Sequence, residues 1–103
     1  DYWAGAVKQC GGVSKMPTAD DLAKLASQLY KGNPSIGAKQ DYNGQWDQDA
    51  ATALGFTSPN FYLWSGEEYS SYGAYGCRFG SAYLDYSSYY RYGSNVQAFC
   101  LGE

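Results

Sequence analysis

A chain of 103 residues has room for one domain and one core, and a composition of 45% hydrophobic and 18% aromatic residues puts much of that core's apolar mass into rings. Its net charge is −3 and its seven Lys and Arg are scattered, so there is no basic stripe to neutralise phosphates and no basic face for a lipid surface; neither nucleic acid nor direct membrane contact is expected. The chain has no histidine, the commonest general base and metal ligand, and we expect no enzyme, no cofactor and no metal.

In chain order, Trp3, Val7 and Cys10 recur at i, i+4 and i+7 before Gly11-Gly12, which predicts a helix over 1–10. With no Ser, Thr or Asn ahead of Tyr2 and Asp1 alone as a cap, this segment reads as the end of a helix continuing upstream. Pro17 and the Thr18 and Asp21 capping pair open a second helix, with Leu22, Leu25, Ala26 and Leu29 on one face and Gly32 as its stop. Residues 32–46 read as loop, with turn signals at Asn33-Pro34 and Asn43-Gly44, and a short third helix is predicted over 47–54, closed by Gly55. The period then changes. Phe61-Tyr62-Leu63-Trp64 reads as a buried strand, 96–101 as a second, and 74–79 and 82–84 as strand fragments. Trp64, Phe79, Leu84 and Phe99 are assigned to the core. Helices first and strands last predict an α+β domain with a small, mainly antiparallel, irregular sheet.

The polar and reactive residues give little catalytic signal. Asp20 and Asp21 are explained by a helix N-terminus, and Asp41, Asp47 and Asp49 share a polar loop without calcium-loop spacing. Glu67 and Glu68 leave open a carbohydrate-active enzyme, but neighbours on a strand point to opposite faces, an awkward geometry for paired carboxylates. Cys10 and Cys100 lie near opposite ends of the chain. A bridge between them would enclose nearly everything, constrain the unfolded chain by about 4–5 kcal/mol in the loop-entropy picture, and imply an oxidising compartment. Cys77 is then the odd thiol, with no base in view beyond Arg78 at its side, and reads as a bystander.

The strongest signal is compositional. Eight of the twelve tyrosines fall within 69–95, where 23 of 27 residues are Tyr, Ser, Gly, Asp, Asn, Arg or Cys and the exceptions are Ala74, Phe79, Ala82 and Leu84. This is close to a paratope inventory, in which Tyr supplies amphipathic contact area at small entropic cost while Ser, Gly and Asn adapt their hydrogen bonding. A half-exposed Tyr-rich sheet, or a core containing Tyr75 and Tyr83, competes with that reading. Lys, Glu, Gln, Thr, Ile and Val are all absent from the stretch, which an ordinary exposed sheet would not require. The expected contacts are Tyr69, Tyr72, Tyr86, Tyr89, Tyr90 and Tyr92, with Ser71, Asp85, Ser88 and Ser94 as polar partners and Arg78 or Arg91 as orienting charges.

Every residue from 69 to 95 is reachable by replacing adenines in an Asn codon, whereas Lys, Glu, Gln, Trp and Met are not. In this the stretch resembles the variable proteins of diversity-generating retroelements, whose C-terminal region is rewritten at template adenines on a C-type-lectin-like fold. Diversification would also account for Cys77. The order Cys10-Gly11-Gly12, Met16-Pro17-Thr18, the second helix, Trp64-Ser65-Gly66 and a closing Cys100 strand is similar to the Fibrobacter-type major paralogous domain, with Met16 where that family usually has Leu and Gly66 where it has Ser. A helix leading into a disulfide-closed domain resembles a type IV pilin-like head. These resemblances imply one extracellular, cell-surface or pilus domain over 1–103 that recognises a protein or glycan ligand. The alternative is a minor pilin or pseudopilin whose tyrosines contact neighbouring filament subunits.

Overall fold

Local hydrogen bonding fixes where the helices begin and end. Helix α1 (Tyr2–Cys10) has Asp1 at its N-cap, the carboxylate accepting from the Ala4 amide, and ends on Gly11 in the left-handed conformation. A short 3₁₀ turn follows (Val13–Lys15). Helix α2 (Ala19–Leu29) opens on the full Thr18 and Asp21 capping box, which holds the Asp21 carboxyl below its ordinary value, the Thr18 backbone amide contributing most. It ends before Gly32 because Tyr30 turns extended and bridges to Trp46. Strand β1 (Gln40–Asp41) lies inside the segment expected to be loop, and helix α3 (Gln48–Ala53) is capped by Asp47.

The computed structural model describes residues 1–32, 34–37, 40–41 and 45–101, with 40 and 41 by backbone alone. The turn signals at Asn33 and Asn43-Gly44, and the Asp41 side chain, fall outside the described residues.

Strands β2 (Phe61–Glu68), β3 (Gly73–Phe79), β4 (Tyr83–Tyr90) and β5 (Val96–Gln97) complete an α+β fold with a mixed sheet ordered β1-β4-β3-β2-β5, in which only β2 and β5 run parallel. Strands β4 and β5 differ from their expected bounds. Strand β4 continues to Tyr90 instead of stopping near Leu84, because an unbroken antiparallel register with β3 runs from Phe79↔Leu84 to Gly73↔Tyr90. Strand β5 stops at Gln97, before Cys100 joins Cys10 across a Cα separation of 5.2 Å.

Alternation along the paired strands sorts side chains onto two faces. Leu63, Cys77, Phe79 and Leu84 share one face and pack beneath Leu22, Leu25, Ala26 and Leu29 of α2, together with Tyr30 and Ala51. Phe56, Phe61 and Phe79 continue that core as stacked rings, with Phe99 only partly buried at its margin. Trp64 and Ala74 share the other face and pack against Trp3 and Ala6 of α1, Met16 and Val96. Two crossings demand glycine: a Cβ on Gly76 would lie 2.7 Å from the Leu63 carbonyl oxygen, and one on Gly66 would lie 2.9 Å from Met16 Cβ and the Val13 carbonyl oxygen. Among the described residues no helix is long and apolar enough to cross a membrane.

Candidate functional site

One end of the sheet is built from three chain segments. The register of β2 shifts between Trp64 and Glu68, and at that break the Ser65 hydroxyl donates to the Tyr75 carbonyl while accepting from the Glu67 amide. Beyond it the turn carrying Tyr69 and Tyr72 folds back, with the Tyr69 and Ser70 amides both donating to the Gly73 carbonyl. The end of β4 with Tyr90, and the turn after it with Tyr92, run alongside this turn, the Arg91 amide donating to the Tyr72 carbonyl. The start of α1 closes the group, since the Tyr2 amide donates to the Arg91 carbonyl at 2.7 Å.

Arg91 is the joint. Only 8% exposed, it donates to Asp1 through Nε and Nη2, to Glu68 and to the Ser70 carbonyl through Nη1, and lays its guanidinium 4.8 Å from the centre of the Trp3 ring. A planar fork with several donors suits this arrangement; a lysine ammonium would reproduce the charge without the directions. Among the described residues, backbone and side chain of this one residue thus bind together every segment that carries an exposed tyrosine. Among the described residues those tyrosines are Tyr2, Tyr69 (61% exposed), Tyr72 (70%), Tyr90 (62%) and Tyr92 (48%), and the last two rings lie 5.4 Å apart.

The segments that carry Tyr69, Tyr72, Tyr90 and Tyr92 of the expected contact set are therefore joined, with Ser71 and Ser94 exposed on the adjoining turns. Tyr86 and Tyr89 are placed differently. Tyr86 stacks within 4° of parallel on Tyr75, which Tyr69 meets edge-on, and its hydroxyl reaches Ser65 and Glu67. Tyr89 lies across the opposite face, its ring edge-on to Tyr62 and its hydroxyl donating to the Asp85 carbonyl. Burial pushes the Tyr86 hydroxyl up to about 12 and raises that of Tyr89 further. Asp85 is half-buried and Ser88 exposed.

The two arginines expected to orient a ligand have other surroundings. Arg91 is internal, and Arg78 sits between the rings of Tyr62 and Tyr83, 5.4 and 4.8 Å from their centres, its Nε buried without a hydrogen-bond partner. Tyr75 and Tyr83 are half-buried and belong to neither core cluster. Cys77 lies at 0% exposure, and desolvation lifts its thiol to about 12, so it is held as an un-ionised apolar group. Glu67 and Glu68 end β2 and diverge, one to the Tyr86 hydroxyl and the other to Arg91. Surface clefts among the described residues include one that reaches the β2 break at Gly66 and Glu67 and one that lies apart from it. One, of about 310 Å³, is lined by Val13, Met16, Pro17, Thr18, Gly66 and Glu67; the other follows residues 55–61.

Sequence reasoning missed Tyr2, which lies outside the biased stretch and joins the cluster only through α1, and it missed what Arg91 does. One signal was legible for Arg91: it is one of only two cations in a stretch otherwise suited to contact. Comparison of the chain with protein-family models, with curated proteins and with solved structures finds no match.

Proposed function

We propose that this chain is an extracellular or cell-surface recognition module that grips a macromolecular ligand through the tyrosines gathered around Arg91. One observation carries the reading: Tyr2, Tyr69, Tyr72, Tyr90 and Tyr92 stand exposed on three segments that a single buried arginine locks together. Burying an apolar ring contributes on the order of 1.5–3 kcal/mol before ordering costs, and a surface held in place beforehand loses less of that gain. Large exposed aromatic groups on a joined framework are what a preorganised paratope requires. The Cys10 to Cys100 bridge supports an oxidising compartment.

The reading extends to the fold and to its source of variety: a C-type-lectin-like domain diversified by a retroelement. The physical support is a division within 69–95. Residues that could change without disturbing the core, such as Tyr69, Tyr72, Tyr90 and Tyr92, are segregated from Ala74, Phe79 and Leu84, which are wholly buried. Sequencing sister copies of the gene tests it. The expected result is adenine-derived substitution at the exposed tyrosines with Arg91, Ala74, Phe79 and Leu84 unchanged; identical tyrosines in every copy, or equal variation at the buried positions, would overturn it.

A further inference from the structure

Among the described residues the outer edge of β4 is covered along half its length. Strand β1 pairs with Tyr83 and Leu84, and the Gly37 carbonyl takes the Tyr86 amide at 2.7 Å. The register with β3 is unshifted from Leu84 to Tyr90, so the outward direction of the Tyr86 amide recurs at period two, and the backbone groups of Ser88 and the amide of Tyr90 also turn away from β3. The Arg91 amide fits this phase by turning inward to Tyr72. Among the described residues nothing bonds those outward groups. Proteins usually blunt such an edge with Lys, Pro or a bulge. Here the residues over 87–90 are Ser, Ser, Tyr and Tyr, in straight register, beside the exposed ring of Tyr90.

Charge narrows the occupant. At this end two carboxylates, Asp1 and Glu68, share the one guanidinium of Arg91, and exposed Glu67 adds a further negative group at the Tyr86 hydroxyl. Arg78 is stacked between tyrosines, and the described lysines, Lys8, Lys15, Lys24 and Lys31, lie on α1, the 3₁₀ turn, α2 and the residues just after it. We infer that the ligand presents an extended, basic peptide segment that adds as a strand along β4 beyond Gly37, bonding Ser88 and Tyr90 through its backbone and laying Lys or Arg side chains over the tyrosine rings. This inference rests on the reading of the tyrosine cluster as a recognition surface.

The test is a titration of the isotope-labelled chain with a short, capped peptide of alternating Lys and Val, read by backbone amide shifts, alongside its Glu and Val counterpart. Shifts at Ser88 and Tyr90 with the lysine peptide alone are expected. Ser88→Pro should weaken binding about tenfold or more while leaving the β3 ladder intact, since the amide it removes faces outward. A lysine peptide N-methylated at alternate residues should also fail, a readout that does not depend on how the variant folds. Equal binding of the acidic peptide, or silence at Ser88 and Tyr90, overturns the inference; if the tyrosine ring signals move while those amides do not, strand addition falls and the recognition surface stands. A dimer that Ser88→Pro dissolves would assign the edge to a second copy of the chain and equally overturn a basic peptide as its occupant.

Discussion

The two ends of the β3 and β4 hairpin are made from nearly the same residue types and have opposite environments. At one end Phe79 and Leu84 face each other at 0% exposure beneath α2; at the other Gly73 pairs with Tyr90, whose ring stands in solvent. The departures from the restricted alphabet mark the difference. Ala74, Phe79 and Leu84, three of its four exceptions, are wholly buried, whereas the exposed positions carry Tyr, Ser and Asn. A chain can therefore vary its surface within a narrow set of residues as long as a few fixed apolar side chains bury that segment's underside.

The contrast can be broken most directly at the buried end. Phe79→Ala should cost about 3–5 kcal/mol in denaturant unfolding, through lost transfer energy and a cavity that α2 cannot fill by collapsing. Removing the Cys10 to Cys100 bridge by paired serine substitution should cost about 2–5 kcal/mol, because it closes a loop of 90 residues and holds α1, which carries Tyr2 and the Asp1 cap. Arg91→Ala should cost about 2–3 kcal/mol, less than a fully buried pair because Glu68 is half in solvent. Hydrogen exchange should then rise at Tyr2, Ser70 and Tyr72 while Phe79 and Leu84 stay protected. Arg91→Lys should recover less than half of that loss.

Alkaline titration sharpens the comparison more gently. The Cys77 thiol and the Tyr86 and Tyr89 hydroxyls are all raised in the folded chain, so their contribution to stability is complete below the ordinary thiol and phenol values and is lost as pH climbs toward about 12. Unfolding free energy should fall across that window, and Cys77 should resist alkylation at mildly alkaline pH until the chain unfolds. Tyr72→Ala should change stability by no more than about 0.5 kcal/mol, since its ring stands 70% in solvent, while abolishing or weakening ligand adhesion. A loss above 1.5 kcal/mol would show that this ring belongs to the scaffold.

Much of the scaffold was legible because its signals are local. The Thr18 and Asp21 box, the Leu22, Leu25, Ala26 and Leu29 stripe, and the glycines after α1 and α3 fix hydrogen bonds and faces within a few residues. Strand β4 past Leu84 was not legible: a run of Tyr and Ser has no apolar alternation, and it becomes a strand because β3 lies beside it in register. Strand β1 has two residues and exists only through its pairing with β4. For the site, the exposed tyrosines of the turns were foreseen, whereas Tyr86 and Tyr89 are half-buried on opposite faces because the pleat sends Tyr86 toward Tyr75 and Tyr89 toward Tyr62.

Capping, periodicity and composition all act over short distances, so the helices, the α+β order and the place where tyrosine is concentrated follow from the sequence alone. The buried joint at Arg91, the place of Tyr2 beside residues nearly the whole chain away and, among the described residues, the uncovered half of the β4 edge arise only in the folded chain. Those outcomes depend on cross-strand register and on which segments the folded sheet brings side by side, and neither is encoded within any one stretch of the chain.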